Sequence, residues 1–90
     1  MENQQKGNLP EKKFRAGAIS STIWANKALT KEGKEIAYMS VSLDRRYTDK
    51  DGKWQSTTSF RAADLPKAAL VLQKAYEYII LKNPEADESA

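Results

Sequence analysis

The sequence predicts an α+β fold: an antiparallel β-sheet of three to four strands followed by one long C-terminal helix. Three observations predict it. Residues 35–47 alternate apolar and polar side chains with a period of two. Asp51-Gly52 lies between two strand-like runs, a strong hairpin signal. From Asp64 to the residue before Pro84, apolar residues recur at helical spacing. A run of strands and then a helix places the helix over one face of the sheet.

The first strand is expected from Phe14 to about Trp24, a stretch rich in small, β-branched and aromatic residues, with Gly17 marking a bulge or bend. Neither of its alternating faces is cleanly apolar. Ala25 to Lys34 reads as a connection, with a turn at 31–34 in which Gly33 supplies a positive φ. The second strand, Glu35 to Tyr47, sends Ala37, Met39, Val41 and Leu43 to the core. Tyr38, Ser40, Ser42, Asp44 and Arg46 go to solvent or a ligand. The third strand runs from Lys53 or Trp54 to Arg61, with Trp54, Ser56, Thr58 and Phe60 on one face.

The helix begins at Asp64, a good N-cap, with Pro66 in the first turn. Its main apolar stripe is Leu65, Ala68, Ala69, Leu72, Ala75, Tyr76 and Ile79, which predicts the face packed on the sheet. The opposite side holds Lys67, Gln73, Lys74 and Glu77. It also holds Leu70, Ile80 and Leu81, with Val71 and Tyr78 at its edge. Five large apolar groups on an outer side predict a second buried contact: a dimer interface, or coverage by the N-terminal tail.

Composition narrows the function classes. Ninety residues allow one domain. Residues 1–13 are polar and 83–90 acidic, so both read as flexible tails around a domain over 14–82. A domain that small is marginally stable alone and needs disulfides, a metal or oligomerisation. There is no Cys and no His. Disulfides are thus absent, no transition metal or other cofactor is expected, and self-association into a homodimer remains. The same absence removes the usual general base and the softest nucleophile. No phosphate-binding or hydrolase motif is present, so no catalytic residue and no small-molecule substrate are predicted. No apolar run follows the first Met, and none is long enough to cross a membrane, which points to the cytoplasm.

Net charge is +3, but its distribution is uneven. Residues 14–63 carry nine basic and five acidic side chains, whereas 83–90 carry three acids and no base. The basic excess falls on the predicted sheet. There Arg45, Arg46 and Tyr47 end the second strand, and Lys50, Lys53 and Trp54 follow across the hairpin. Phe60 and Arg61 close the third strand. Tyr38 joins from the polar face of the second strand, and Arg15 and Trp24 from the first. Single-stranded nucleic acid asks for this chemistry: cations for phosphates, flat rings for unpaired bases, hydroxyls for polar edges. The ordinary structural reading stands beside it. Trp54 and Phe60 share a face and aromatics often fill cores, while Arg45 and Arg46 point to opposite faces.

The segments KFRAGAISSTIW and YMSVSLDRRYTDKDGKWQSTTSFRAADLPKAALVLQKAYEYI resemble the layout of the transcriptional coactivator positive cofactor four, the Pur-alpha repeat and the plant Whirly proteins. The chain is also similar to small prokaryotic proteins sharing the DKDG-W and DLPKA segments. The resemblance implies a sheet-then-helix unit that dimerises through its helix and binds single-stranded DNA or RNA on the sheet. Arg15, Arg45, Arg46, Tyr47, Lys53 and Trp54 would carry that role. It also implies four strands before the helix where three are plain, so either the first strand splits at Gly17 or Asn26 to Thr30 forms a short strand. Two rivals remain. One is a protein-interaction module using the outer helix face. The other is a five-stranded barrel of the oligonucleotide-binding type, suggested by GKEIAYMSVSLDRRYTDKDGKWQ.

Overall fold

The structure, a computed structural model, describes residues 9–82. Four strands, β1 (Leu9–Ala16), β2 (Ile19–Leu29), β3 (Glu35–Thr48) and β4 (Trp54–Thr57), lead through a short 3-10 turn (Ala62–Asp64) into the helix α1 (Leu65–Lys82). The strands form one antiparallel sheet in the order β1-β2-β3-β4. The fold is therefore α+β, as the alternation and the helical spacing predict. Among the described residues the sheet has four strands, where a barrel needs five.

Three glycine turns set this meander. The expected first strand is split at Gly17, which has φ 64° and, with Ala18, makes a two-residue hairpin loop. Gly33 (φ 84°) and Gly52 (φ 81°) end two turns of the same design. In each, the Gly N–H donates to the residue three positions back, Thr30 or Asp49, and a side chain of that residue braces the loop. Residues Asn26–Leu29 are not a separate strand but the far end of β2. The N-terminal boundary also moves. Leu9–Lys13, expected as tail, belong to β1 and pair with β2. The remaining tail expectations, 1–8 and 83–90, lie outside the described residues.

β4 stops at Thr57 rather than Arg61. Thr57 Oγ1 accepts the N–H of Ser59 at 3.0 Å, a local bond that competes with the ladder and bends the chain. The bend turns Phe60 under the sheet, against the core of Ile19, Ala68 and Val71. Phe60 and Trp54 thus do not share a face.

The helix covers β1 and β2 and barely reaches β3. Its buried residues are Ala68, Val71 and Ala75. Ser21 Oγ donates to the Val71 carbonyl at 2.8 Å, and Tyr78 packs edge-on against Phe14 with ring centroids 6.3 Å apart. Ala68 and Ala75 belong to the expected stripe, but the buried arc extends to Val71, so its centre is rotated by roughly 70°. Val71 is 2% exposed, whereas Leu65, Leu72 and Tyr76 lie largely open. Two alanines flanking a valine let the helix approach the small residues of β2 closely enough for the Ser21 bond, and larger residues at that contact would hold it away. No helix of the described residues is long and apolar enough to cross a membrane.

Candidate nucleic-acid interface

Pairing register assigns every strand residue to a face. Ile19, Ser21 and Ile23 look toward α1, together with Phe14 and Ala16 of β1 and Val41, Leu43 and Arg45 of β3. Successive side chains alternate, so the uncovered face carries Lys13 and Arg15 from β1, and Ser20, Thr22, Trp24 and Asn26 from β2. It also carries Tyr38, Ser40, Ser42, Asp44 and Arg46 from β3, and Trp54 and Ser56 from β4.

Along the strand direction these residues are ordered. Trp24 pairs with Ser40, Thr22 with Ser42 and Ser20 with Asp44, while Lys13 and Arg15 stand beside Thr22 and Ser20. Reading from Tyr38 to Thr48, the face presents Tyr38 and Trp24, then Lys13, Arg15 and Arg46, then Trp54. Aromatic groups bound a band of three cations over about 30 Å, at ~3.3 Å per residue. Between them lies a floor of short polar side chains. Ser20, Thr22 and Asn26 are buried on this face, opposite α1.

Local contacts hold the two indoles and two of the cations. Trp24 Nε1 donates to Ser42 Oγ at 2.9 Å, which lays the indole diagonally toward β3. The Arg46 guanidinium stands 4.8 Å from the centroid of Trp54, whose side chain is 63% exposed. Arg15 Nε donates to the Gly17 carbonyl at 3.2 Å. Asp44 is the one acid among these residues, half-buried beside Ser20.

Other expected binding residues are placed elsewhere. Arg45 and Tyr47 face the helix side, where the Arg45 guanidinium lies 5.7 Å from the Tyr47 ring centroid. Arg45 Nε is 3.3 Å from Asp64 Oδ2 and 3.2 Å from the Ser59 carbonyl. Arg61 makes two bonds of 3.1 Å to the same carboxylate, and its backbone N–H donates to Asp64 Oδ2 at 2.8 Å. The Arg61 side chain and N–H, with the Arg45 charge behind them, hold the Asp64 carboxyl at about 2. This buried acid ties β3 to the start of α1, so Arg45 and Arg61 are structural ties. Lys50 and Lys53 sit at the exposed β3–β4 hairpin beside Trp54. Asp49 of that hairpin is a turn former. Gln55 and the N–H groups of Lys53 and Asp51 bond its carboxylate and lower its pKa.

The helix residues expected at a dimer contact also divide. Leu70 and Leu81 project outward, 52% and 79% exposed, and Ile80 is half-buried. Val71 is in the core. Tyr78 is occupied inside the chain, donating to Glu11 at 3.0 Å beside a Lys82–Glu11 ion pair. Those two partners lower the Glu11 pKa.

Lys13 also lies on this face, beyond the residues expected from sequence, because its stretch was taken as tail. The spacing Lys13-x-Arg15 was the available signal, since two cations two apart share a strand face. Comparison with protein-family models, curated proteins and solved structures finds no match to this chain.

Proposed function

We propose that this protein binds single-stranded DNA or RNA as a homodimer, through the uncovered face of its sheet. The observation that carries the reading is the grouping of Lys13, Arg15, Trp24, Tyr38, Arg46 and Trp54 on that one face, with the cations between the aromatic groups. Phosphates track the cations, unpaired bases stack on the indole and phenol rings, and Ser and Thr hydroxyls meet polar edges. The contacts are to charge and to ring faces, which all bases share, so little sequence preference is expected. Fluorescence anisotropy with an unpaired oligonucleotide tests the proposal. Binding at low salt that weakens steeply as salt rises supports it. No binding at low salt refutes it.

The exposure of Leu70 and Leu81 favours a second reading, a protein-interaction module using the outer helix face. In that case oligonucleotide binding is absent, and Leu70→Ser with Leu81→Ser abolishes capture of a different protein while leaving the mass of the free chain unchanged.

A further inference from the structure

β4 pairs with only the last four residues of β3, Arg45 to Thr48. From Glu35 to Asp44, β3 is bonded to β2 on one side and, among the described residues, to no strand on the other. The bond from Arg46 N to Ala18 O turns the even-numbered residues of β3 toward β2. The N–H and C=O groups of Ala37, Met39, Val41 and Leu43 therefore point out along the free edge, and none of the described turn, loop or cap bonds involves them.

Sheet proteins usually guard such an edge with Pro, Lys, a bulge or a short strand. Here Ile36–Leu43 reads IAYMSVSL, with no charge, no Pro and no Gly. The pairing of β2 with β3 is unbroken through it, without a bulge. Ile36, Tyr38 and Val41 are exposed along it. A long, flat, uncharged edge is a template for another strand.

We propose that this edge is the homodimer contact: β3 of one copy pairs antiparallel with β3 of a second, joining the two sheets into one of eight strands. The inference deepens the homodimer of the proposed function and rests on it. Charge and two-fold symmetry select the occupant. With Met39 on the axis, Ala37 meets Val41 of the second copy and Tyr38 meets Ser40. Lys34 then meets Asp44 at both ends, an opposite-charge match that the edge makes with itself. The register forms about ten backbone hydrogen bonds, two for each closely spaced pair. It also brings together Met39 and Val41 of both copies on the helix side, burial that a 10.1 kDa chain with a thin core needs.

The pairing completes the binding face. Tyr38 and Trp24 of both copies meet around the axis, and the bands of Lys13, Arg15 and Arg46 run outward in opposite directions to the two Trp54 rings. The result is a continuous two-fold track of about 60 Å.

The test uses the full chain. Sedimentation equilibrium at micromolar concentration should give a mass twice 10.1 kDa for the wild type. Met39→Pro should give the single-chain mass with an unchanged circular dichroism spectrum, because the Met39 N–H serves only the free edge. Should Met39→Pro fail to fold, Met39→Lys is read in its place, since it sets two ammonium groups face to face across the axis. A monomeric wild type overturns both the edge contact and the homodimer. A dimer that survives both Met39 variants but is split by Leu70→Ser with Leu81→Ser overturns the edge alone. A folded, monomeric Met39 variant that still binds oligonucleotide, with a shorter site size, supports edge and binding face separately. If wild-type dimers form but bind no oligonucleotide, the nucleic-acid reading falls while the edge contact stands.

Discussion

Arg45 and Arg46 are adjacent in sequence and should behave oppositely when replaced. Arg46 projects on the uncovered face, with its guanidinium stacked on the Trp54 ring. Neutralising one phosphate on a single strand contributes about 0.7 to the slope of log Kd against log salt. Arg46→Ala should therefore flatten that slope by about 0.7 per chain and leave stability nearly unchanged, since an exposed cation–π contact is worth only about 0.5–1 kcal/mol. Arg45 lies beneath the sheet on Asp64 and the Ser59 carbonyl, with 15% of its side chain accessible. Arg45→Ala should leave the salt slope intact. Losing a charged donor to a carbonyl costs about 1.5–3 kcal/mol, and at about 4–8 °C per kcal/mol the Tm falls by roughly 6–24 °C. The assay is anisotropy titration of an unpaired oligonucleotide across a salt series, paired with thermal melts of each variant. If folded Arg45→Ala flattens the slope as much as Arg46→Ala does, the assignment of the two arginines to opposite faces is wrong.

Trp54→Ala should weaken oligonucleotide binding by the loss of one stacked base, ~1–3 kcal/mol or roughly 5- to 150-fold in Kd, with no change in salt slope. A changed slope would mean that the indole acts by positioning Arg46 instead. In acid, the Asp64 carboxyl titrates at about 2 when folded and near 3.9 when unfolded. Its stabilisation is therefore full above pH ~4 and is lost as pH falls toward ~2. Asp64→Asn should be less stable than wild type at neutral pH, and the gap should close between pH ~4 and ~2 in denaturant titrations; a gap independent of pH refutes the clamp. Val71→Ala removes two buried methyl groups at about 0.8 kcal/mol each plus a cavity cost, ~2 kcal/mol in all. Leu70→Ala, one residue away on the outer side, should cost under ~0.5 kcal/mol in the monomer. Equal losses would show that the helix is rotated from the orientation described.

Much of the fold was legible because short-range physics carries it. The alternation of Ala37, Met39, Val41 and Leu43 needs only the pleat of a strand. The Asp51-Gly52 turn needs only a residue tolerant of positive φ. The end of β4 was not legible, because the Thr57 hydroxyl competing for the Ser59 N–H is invisible to a period-two count. The make-up of the candidate face was half legible. Residue type marked Arg15, Trp24, Arg46 and Trp54, but Arg45 and Arg61 look the same in a sequence and are taken up by a buried carboxylate distant from Arg45 along the chain.

What the sequence by itself determined is local: the alternation that makes β3 a strand, the turns at Gly33 and Gly52, and the apolar helix that follows. Those outcomes depend on neighbours within a few residues. Which side of the helix is buried was decided only in three dimensions. Its apolar arc is wider than one contact, so periodicity left several rotations open. The close fit of Ala68, Val71 and Ala75 on β2, with the Ser21 bond to the Val71 carbonyl, selected one of them. The edge of β3 left without a strand among the described residues was likewise decided by tertiary structure, because β4 ends early and β1 pairs on the far side of β2.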